Sequence, residues 1–261
     1  MNTKVISIIN FKGGVGKSTV TLNLGEQLSH NNKVLLIDFD GQGNLTRFAG
    51  REEEITIVDA LDKIVERKTA INHPIQKIND NLDLIGCNIS KESWMNKIVS
   101  EIARETILKR YIQILKRECN YDYILIDNAP SVNLDFQNAL VASDSYIIVT
   151  EPELGSTDGI ATVQNIIQQV KEFYNDDLKA LGIIFNKVDE RTNLHNMMQE
   201  HIRDGWNESI YIFETRLPRA IAVGESQLLA KPIGVYAPNS KIGKAFKQLA
   251  DEFEIQVEKD K

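Results

Sequence analysis

A chain of 261 residues carrying a net charge of −7 is long enough to bury one large core, and a single domain over residues 1–261 is expected. Its two cysteines, Cys87 and Cys119, exclude a disulfide scaffold and lack metal-ligand spacing, so both are expected to be packing residues in a reduced, cytoplasmic setting. No apolar run reaches transmembrane length, no signal-peptide pattern precedes the first apolar run, and the acidic balance excludes a uniformly basic nucleic-acid binder while allowing a local basic patch.

The first expected strand is Val5–Ile9, and the stretch Phe11-Lys12-Gly13-Gly14-Val15-Gly16-Lys17-Ser18-Thr19 follows it. Strand, glycine turn and helix in that order make a phosphate cradle. Glycines let backbone N–H groups face an anion, and the helix N-terminus adds a favourable dipole. Lys17 can reach β/γ-phosphate oxygens and the Ser18 hydroxyl can ligate Mg²⁺. The strict P-loop formula requires glycine where Phe11 stands, and a second lysine, Lys12, opens the loop instead. Two lysines with Ser-Thr at this offset separate the loop from a merely glycine-rich turn. The helix after it shows Val20, Leu24 and Leu28 at helical spacing.

The second strand, Val34–Ile37, runs into Asp38-Phe39-Asp40-Gly41-Gln42. Two carboxylates one residue apart can cap a turn. Beside a triphosphate they repel unless Mg²⁺, lysine or a bound water compensates. A helix with Ile57, Leu61, Ile64 and Val65 starts behind a candidate cap at Thr56, and Leu82–Ile85 is the third strand. Ile98, Ile102, Leu108, Ile112 and Leu115 form a further helical stripe. The strand Tyr123–Ile126 ends in Asp127-Asn128-Ala129-Pro130-Ser131, an apolar strand delivering a carboxylate. Strand Tyr146–Val149, helix Thr162–Phe173 and strand Leu181–Phe185 come next. Asn186 closes the last of these; its amide can read the adenine N6/N7 edge or serve an ordinary strand-to-helix turn. Helix Leu194–Ile202, a short strand Ile210–Phe213, and helices Ala220–Leu229 and Lys241–Phe253 complete the chain. Near-continuous apolar strands alternating with amphipathic helices imply an α/β fold: a doubly wound, mostly parallel sheet with ligands at the carboxyl ends of its strands.

Between Arg216 and Lys247 stand six basic residues (Arg216, Arg219, Lys231, Lys241, Lys244, Lys247) against one acid, Glu225, a local net of +5. The span reads equally as a nucleic-acid footprint or as a solvated helix face.

The loop with a lysine at each end resembles the deviant Walker A loop of the ParA/MinD group of P-loop ATPases. The likeness continues through Asp38 to Thr46, Asp122 to Ser131, Glu151-Pro152, and Pro218-Arg219 on to Ala237-Pro238-Asn239-Ser240. It points to the ParA-type (Soj-like) partition ATPases and implies ATP/ADP and Mg²⁺ as cofactors. By that resemblance Gly13 to Thr19 bind the nucleotide, Asn186 and Pro218 lie at its base, and Ser18, Asp38 and Asp127 hold Mg²⁺. Asp40 positions the attacking water, Lys17 serves the phosphates of its own subunit, and Lys12 crosses to the partner's nucleotide. This chain has Gly41 where the family usually has proline, and Asp127-Asn128-Ala129-Pro130 where it often reads Asp-x-Pro-Pro. The resemblance further implies an ATP-dependent homodimer, non-specific binding of double-stranded DNA through the basic third, a ParB-like partner that stimulates hydrolysis, and nucleoid association. Arg191, Arg203, Arg216, Arg219, Lys241, Lys244 and Lys247 are the candidate DNA contacts. The phosphate loop begins about ten residues in, which leaves no room before it for an N-terminal helix-turn-helix domain.

Three rivals differ at stated residues. A MinD-like membrane-cycling ATPase needs a basic, broadly apolar terminal helix, whereas residues 251–261 are acidic and thinly apolar, so no membrane contact is expected. An electron-transfer ATPase needs cluster-ligating cysteines, for which Cys87 and Cys119 are badly placed. A nucleotide-gated scaffold with negligible turnover differs only in its rate.

Overall fold

The computed structural model describes residues 3–51, 54, 56–68, 70–131, 133–153, 156–189, 197 and 210–260. Its centre is a seven-stranded sheet of β1 (Lys4–Ile9), β2 (Val34–Phe39), β3 (Ile75–Lys77), β4 (Leu82–Ile85), β5 (Tyr123–Asn128), β6 (Ser145–Thr150) and β7 (Lys179–Phe185). The spatial order is β3-β4-β2-β5-β1-β6-β7, and every pairing is parallel except β3 with β4. From β1 the chain crosses to β2 on one side; from β5 it crosses to β6 on the other. Such a reversal opens a crevice at the carboxyl ends of the central strands.

The helices are α1 (Lys17–Leu28), α2 (Asn44–Phe48), α3 (Ile57–Val65), α4 (Ser90–Lys97), α5 (Ile107–Glu118), α6 (Leu134–Ala142), α7 (Ser156–Phe173), α8 (Ile221–Leu228), α9 (Ile233–Tyr236) and α10 (Lys241–Lys259). They cover both faces of the sheet. Side chains on a strand alternate between faces, so Ile6 and Ile8 of β1 join the cluster under α1 and α10. Val5 joins the cluster under α3, α5 and α6, and Ile9 the one that includes α6 and α7 residues. Both alternating sets must be apolar, which is why these strands read as continuous runs.

Several elements depart from the sequence expectation. Ile210–Phe213 is not a strand: Ile212 makes only an isolated parallel bridge to Ile183. The stripe from Ile98 to Leu115 is not one helix. Short 3₁₀ turns occupy Ile98–Ser100 and Arg104–Thr106, Ala103 between them has φ 56°, and Ile102 is 93% exposed. Its apolar spacing there coincides with helical period without a face to bury. The edge strand β3 is only three residues long and carries no periodic signal, so nothing in the sequence announces it. The Thr56 cap does form: its hydroxyl accepts from the Val58 N–H, and Asp59 returns the bond to the Thr56 N–H. The expected helix Leu194–Ile202 lies outside the described residues apart from Met197.

The last helix runs past Phe253 to Lys259. Phe246, Leu249, Phe253 and Val257 are all buried, so its apolar stripe is spent in the core. Its end is tied down as well, since Asp260 pairs with Lys4 at 2.8 Å and with Lys179 at 3.1 Å. No helix among the described residues is long and apolar enough to cross a membrane.

Candidate nucleotide site

The loop between β1 and α1 is held by what it buries. Val15 is fully buried in the core under α1, while Gly13 and Gly14 are exposed. Gly14 and Gly16 have φ of 79° and 90°, in the left-handed region that favours glycine. At Gly16 space adds a second demand: a Cβ there would collide with Asn186 Nδ2. That amide donates to the Val15 carbonyl at 2.8 Å, clamping the end of β7 onto the loop. Lys187 completes the clamp from a strained φ of 54°, donating to the Gly14 carbonyl at 2.5 Å and to Glu151 at 2.6 Å.

A pocket of about 320 Å³ opens above the loop, lined by Gly14, Gly16, Lys17, Ser18, Thr19, Asp40, Asn44, Phe48, Pro130, Lys187, Val223 and Gln227. That size suits a small-molecule ligand. The lining joins the loop, the ends of β2, β5 and β7, α2 and α8. Gln227 ties α8 to the loop helix by donating to the Thr19 hydroxyl at 2.9 Å, and the Ile233 N–H donates to Asn23. Asn44, Phe48, Lys187, Val223 and Gln227 are site residues that sequence reasoning missed; Lys187, next to Asn186, had the nearest local signal. Pro218 bridges to Val188 beside this clamp and is not part of the pocket wall.

The floor is acidic. Asp38 and Asp127 are register partners on β2 and β5, and both are fully buried. Asp38 is anchored: its Oδ2 accepts from the Thr46 N–H at 2.9 Å and the Thr46 hydroxyl at 2.7 Å, and its Oδ1 accepts from the Asp40 N–H. Burial pushes its carboxyl up to about 6 despite those bonds. Asp127 makes no well-formed hydrogen bond among the described residues, although the Ser18 hydroxyl lies close to its carboxylate. Burial, and then the Asp38 charge, hold its carboxyl well above the ordinary range; the Ser18 hydroxyl and the Lys17 charge pull the other way. Lys17 is 7% exposed; burial lowers its pKa, against the pull of Asp127 and Asp40. Asp40 does what a turn aspartate does, accepting from the Gln42 N–H at 2.9 Å, and it also lines the pocket. The turn-capping reading of this residue is realised, and the residue also stands at the pocket wall.

The residues fit Mg²⁺. The candidate donors are hard oxygens from Ser18, Asp38 and Asp127, and the two fully buried Asp127 oxygens make no well-formed hydrogen bond, with Lys17 as a nearby positive charge. Among the described residues no three His, Cys, Asp or Glu side chains group to hold a metal by themselves, and Mg²⁺ uses one or two carboxylates with water and phosphate completing its shell.

The two loop lysines are in different situations. Lys17 lines the pocket. Lys12 stands outside that lining, with its side chain 38% exposed, and its ammonium meets Glu153 at 2.9 Å. That bond holds the Glu153 carboxyl below its usual range.

Residues 3–180 match the family described as AAA domain. The chain is 36% identical over 250 residues to the sporulation initiation inhibitor protein Soj of Bacillus subtilis, covering 95% of this chain and 97% of Soj. The chain belongs to the ParA-type, Soj-like family of P-loop ATPases. Among solved structures, a Mycobacterium smegmatis cobyrinic acid a,c-diamide synthase with bound ADP and magnesium superposes with a TM-score of 0.82 at 23% identity, covering 99% of this chain and 97% of that one. A putative plasmid partition protein of Borrelia burgdorferi bound to AMPPNP gives 0.80 at 23% identity, over 97% and 99%. At these identities the likeness is one of fold.

The family's basic third is also laid out. Arg216, Lys241 and Lys244 line a groove with Glu214, Thr215 and Pro218. Lys241, Lys244 and Lys247 recur every three residues of α10 on its exposed side, while Ile242, Ala245 and Phe246 between them are buried. Arg219 is exposed nearby. Arg191 and Arg203 lie outside the described residues. Cys87 is fully buried and its thiol is raised by burial, as a packing residue should be; Cys119 is half-buried.

Proposed function

We propose that this chain is a DNA-partition ATPase that hydrolyses ATP to ADP and phosphate, closes into an ATP-sandwich homodimer, and binds double-stranded DNA in that state. One observation carries the dimer: Lys12, the residue that distinguishes this loop from a simple P-loop, is partly exposed and outside the pocket that Lys17 lines. A lysine so placed can reach a nucleotide in a second copy by exchanging its Glu153 partner for a phosphate. Delivered in trans, its charge would stabilise negative charge developing on the transferred phosphoryl group.

Within one subunit the N–H groups of Gly13 to Thr19 cradle the phosphates and Lys17 meets the β/γ-oxygens. Ser18, Asp38 and Asp127 would hold Mg²⁺, which supplies charge neutralisation to the same oxygens. Asp40, at the pocket wall, orients the attacking water. Asn186 and Pro218 are assigned to the base; because one Asn186 N–H is committed to Val15, the other N–H and the amide oxygen are left to read it.

The partition role is supported by the names of the relatives and by the lysine stripe of α10 beside the Arg216 groove. Lysines presented this way contact phosphates rather than base edges, so binding would be non-specific and salt-dependent. Dimerisation doubles the stripe and makes binding ATP-gated. A ParB-like partner would stimulate hydrolysis and so release DNA, giving a nucleoid-associated cycle. Burial of the α10 apolar face supports DNA over a membrane as the surface held.

The test is DNA binding by fluorescence anisotropy with ADP, ATP and a non-hydrolysable analogue, with anionic liposomes in parallel. Binding to DNA with the triphosphates alone is expected. Equal DNA binding in all nucleotide states, or ATP-dependent liposome binding instead, overturns the proposal.

A further inference from the structure

Lys91 is 1% exposed, an unusual place for a lysine. It lies on α4, outside every motif assigned above. Its ammonium sits 4.2 Å from the centre of the Phe39 ring and 2.7 Å from Asp135 Oδ2. Phe39 is the residue between Asp38 and Asp40. Asp135 is in the first turn of α6, which follows the Asp127–Ser131 segment in the chain; its contact with Lys91 is an ion pair by distance without well-formed hydrogen-bond geometry, and its second oxygen has no hydrogen-bond partner. One buried charge therefore touches both arms of the nucleotide site.

The seating of α4 is a second observation. A Cβ at Gly41 would come within 3.3 Å of Glu92 Cγ and 3.7 Å of the Asn88 carbonyl. Glycine at this position lets α4 lie directly on the turn that carries Asp40. α4 thus lies against the Gly41 turn, and Lys91 ties it to α6.

Stability alone does not account for the pair. Burying two charges is expensive, and apolar residues of similar volume commonly serve a fold as well or better. What an ion pair adds is a fixed distance and orientation between the elements that bear it. We propose that Lys91 and Asp135 are positioning residues for ATP hydrolysis: the β2–β5 ladder already sets Asp38 opposite Asp127, and the ion pair fixes what lies beyond that ladder, the turn carrying Asp40 against the start of α6, so that the water-orienting carboxylate faces the same phosphate as the metal-holding ones. The proposal rests on the ATPase reading above.

The experiment compares steady-state ATP hydrolysis and thermal unfolding of the wild type with Lys91→Met/Asp135→Leu, Lys91→Arg and Asp135→Asn, each with Mg²⁺ and DNA. The double apolar variant is expected to unfold at or above the wild-type temperature yet lose at least tenfold in kcat, with KM for ATP within about threefold. Lys91→Arg, which keeps the pair, should stay within about threefold of wild-type kcat. If the double variant does not fold, Asp135→Asn carries the same readout, with at least a fivefold loss in kcat at unchanged KM. A folded double variant, or Asp135→Asn, within twofold of wild-type kcat overturns the positioning role while leaving the ATPase reading intact. A wild type without ATP turnover overturns the ATPase reading itself.

Discussion

Replacing Asp127 by asparagine should make the nucleotide-free protein more stable and the nucleotide-bound protein less so. Asp38 is raised from 3.8 to about 6 by its surroundings, so keeping that one carboxylate ionised in the fold costs about 3 kcal/mol. Asp127 lies on the adjoining strand, equally buried, shifted in the same direction and without the hydrogen bonds that Asp38 enjoys. Its penalty has the same sign and the same leading cause, burial. The substituted asparagine would remove that buried charge, but its buried amide would itself need partners, at about 1–3 kcal/mol. A net gain is expected, read as a rise in Tm of the nucleotide-free protein. The sign with pH follows from the raised carboxyl. The penalty is absent below the unfolded value of 3.8 and grows as pH rises toward the folded value. The advantage of the variant should therefore be full only above the raised folded value and shrink steadily toward about pH 4. Differential scanning fluorimetry across pH, with and without Mg²⁺ and ATP, reads both effects. In the wild type Mg²⁺ and nucleotide should add stability by relieving the paired carboxylates, and in Asp127→Asn that increment should largely vanish. A variant less stable than wild type when empty above that folded value, or one that keeps the full ligand-induced increment, would refute the reasoning.

Gly16→Ala combines a left-handed φ with a collision against Asn186, so it should unseat the β7 clamp and abolish binding of a fluorescent ATP analogue. Glu153→Ala frees Lys12 from its partner in the same chain; nucleotide affinity should stay within about threefold, while ATP-dependent dimerisation, followed by analytical ultracentrifugation, should strengthen. Lys12→Ala should remove that dimerisation. Replacing Lys241, Lys244 and Lys247 by alanine should leave folding unchanged, because all three are exposed, and should flatten the dependence of log K on log salt by about 0.9 for each DNA phosphate no longer neutralised.

The local chemistry of the site was legible in the residues alone, because a phosphate cradle is built from consecutive groups. Gly13 to Thr19 need only the strand before them and the helix after them, and strands that end in Asp38, Asp127 and Asn186 deliver those side chains to the same edge of any parallel sheet. The strands themselves were readable because both faces of the sheet are covered, which requires apolar residues at odd and even positions alike. Tertiary structure decided what depends on a distant neighbour. Ile98 to Leu115 carries helical spacing, yet the chain turns at Ala103 and leaves Ile102 in solvent, since no surface is there to receive it. The terminal helix looked thinly apolar in its last turns, yet Val257 is buried because α10 lies along the core. Lys187 had only its neighbour Asn186 as a signal, and nothing in the amino acids around Lys91 or Gln227 marks their contacts. The partners of Lys91, Lys187 and Gln227, namely Asp135, Gly14 and Thr19, are 44, 173 and 208 positions away, and only the folded sheet brings each pair within bonding distance.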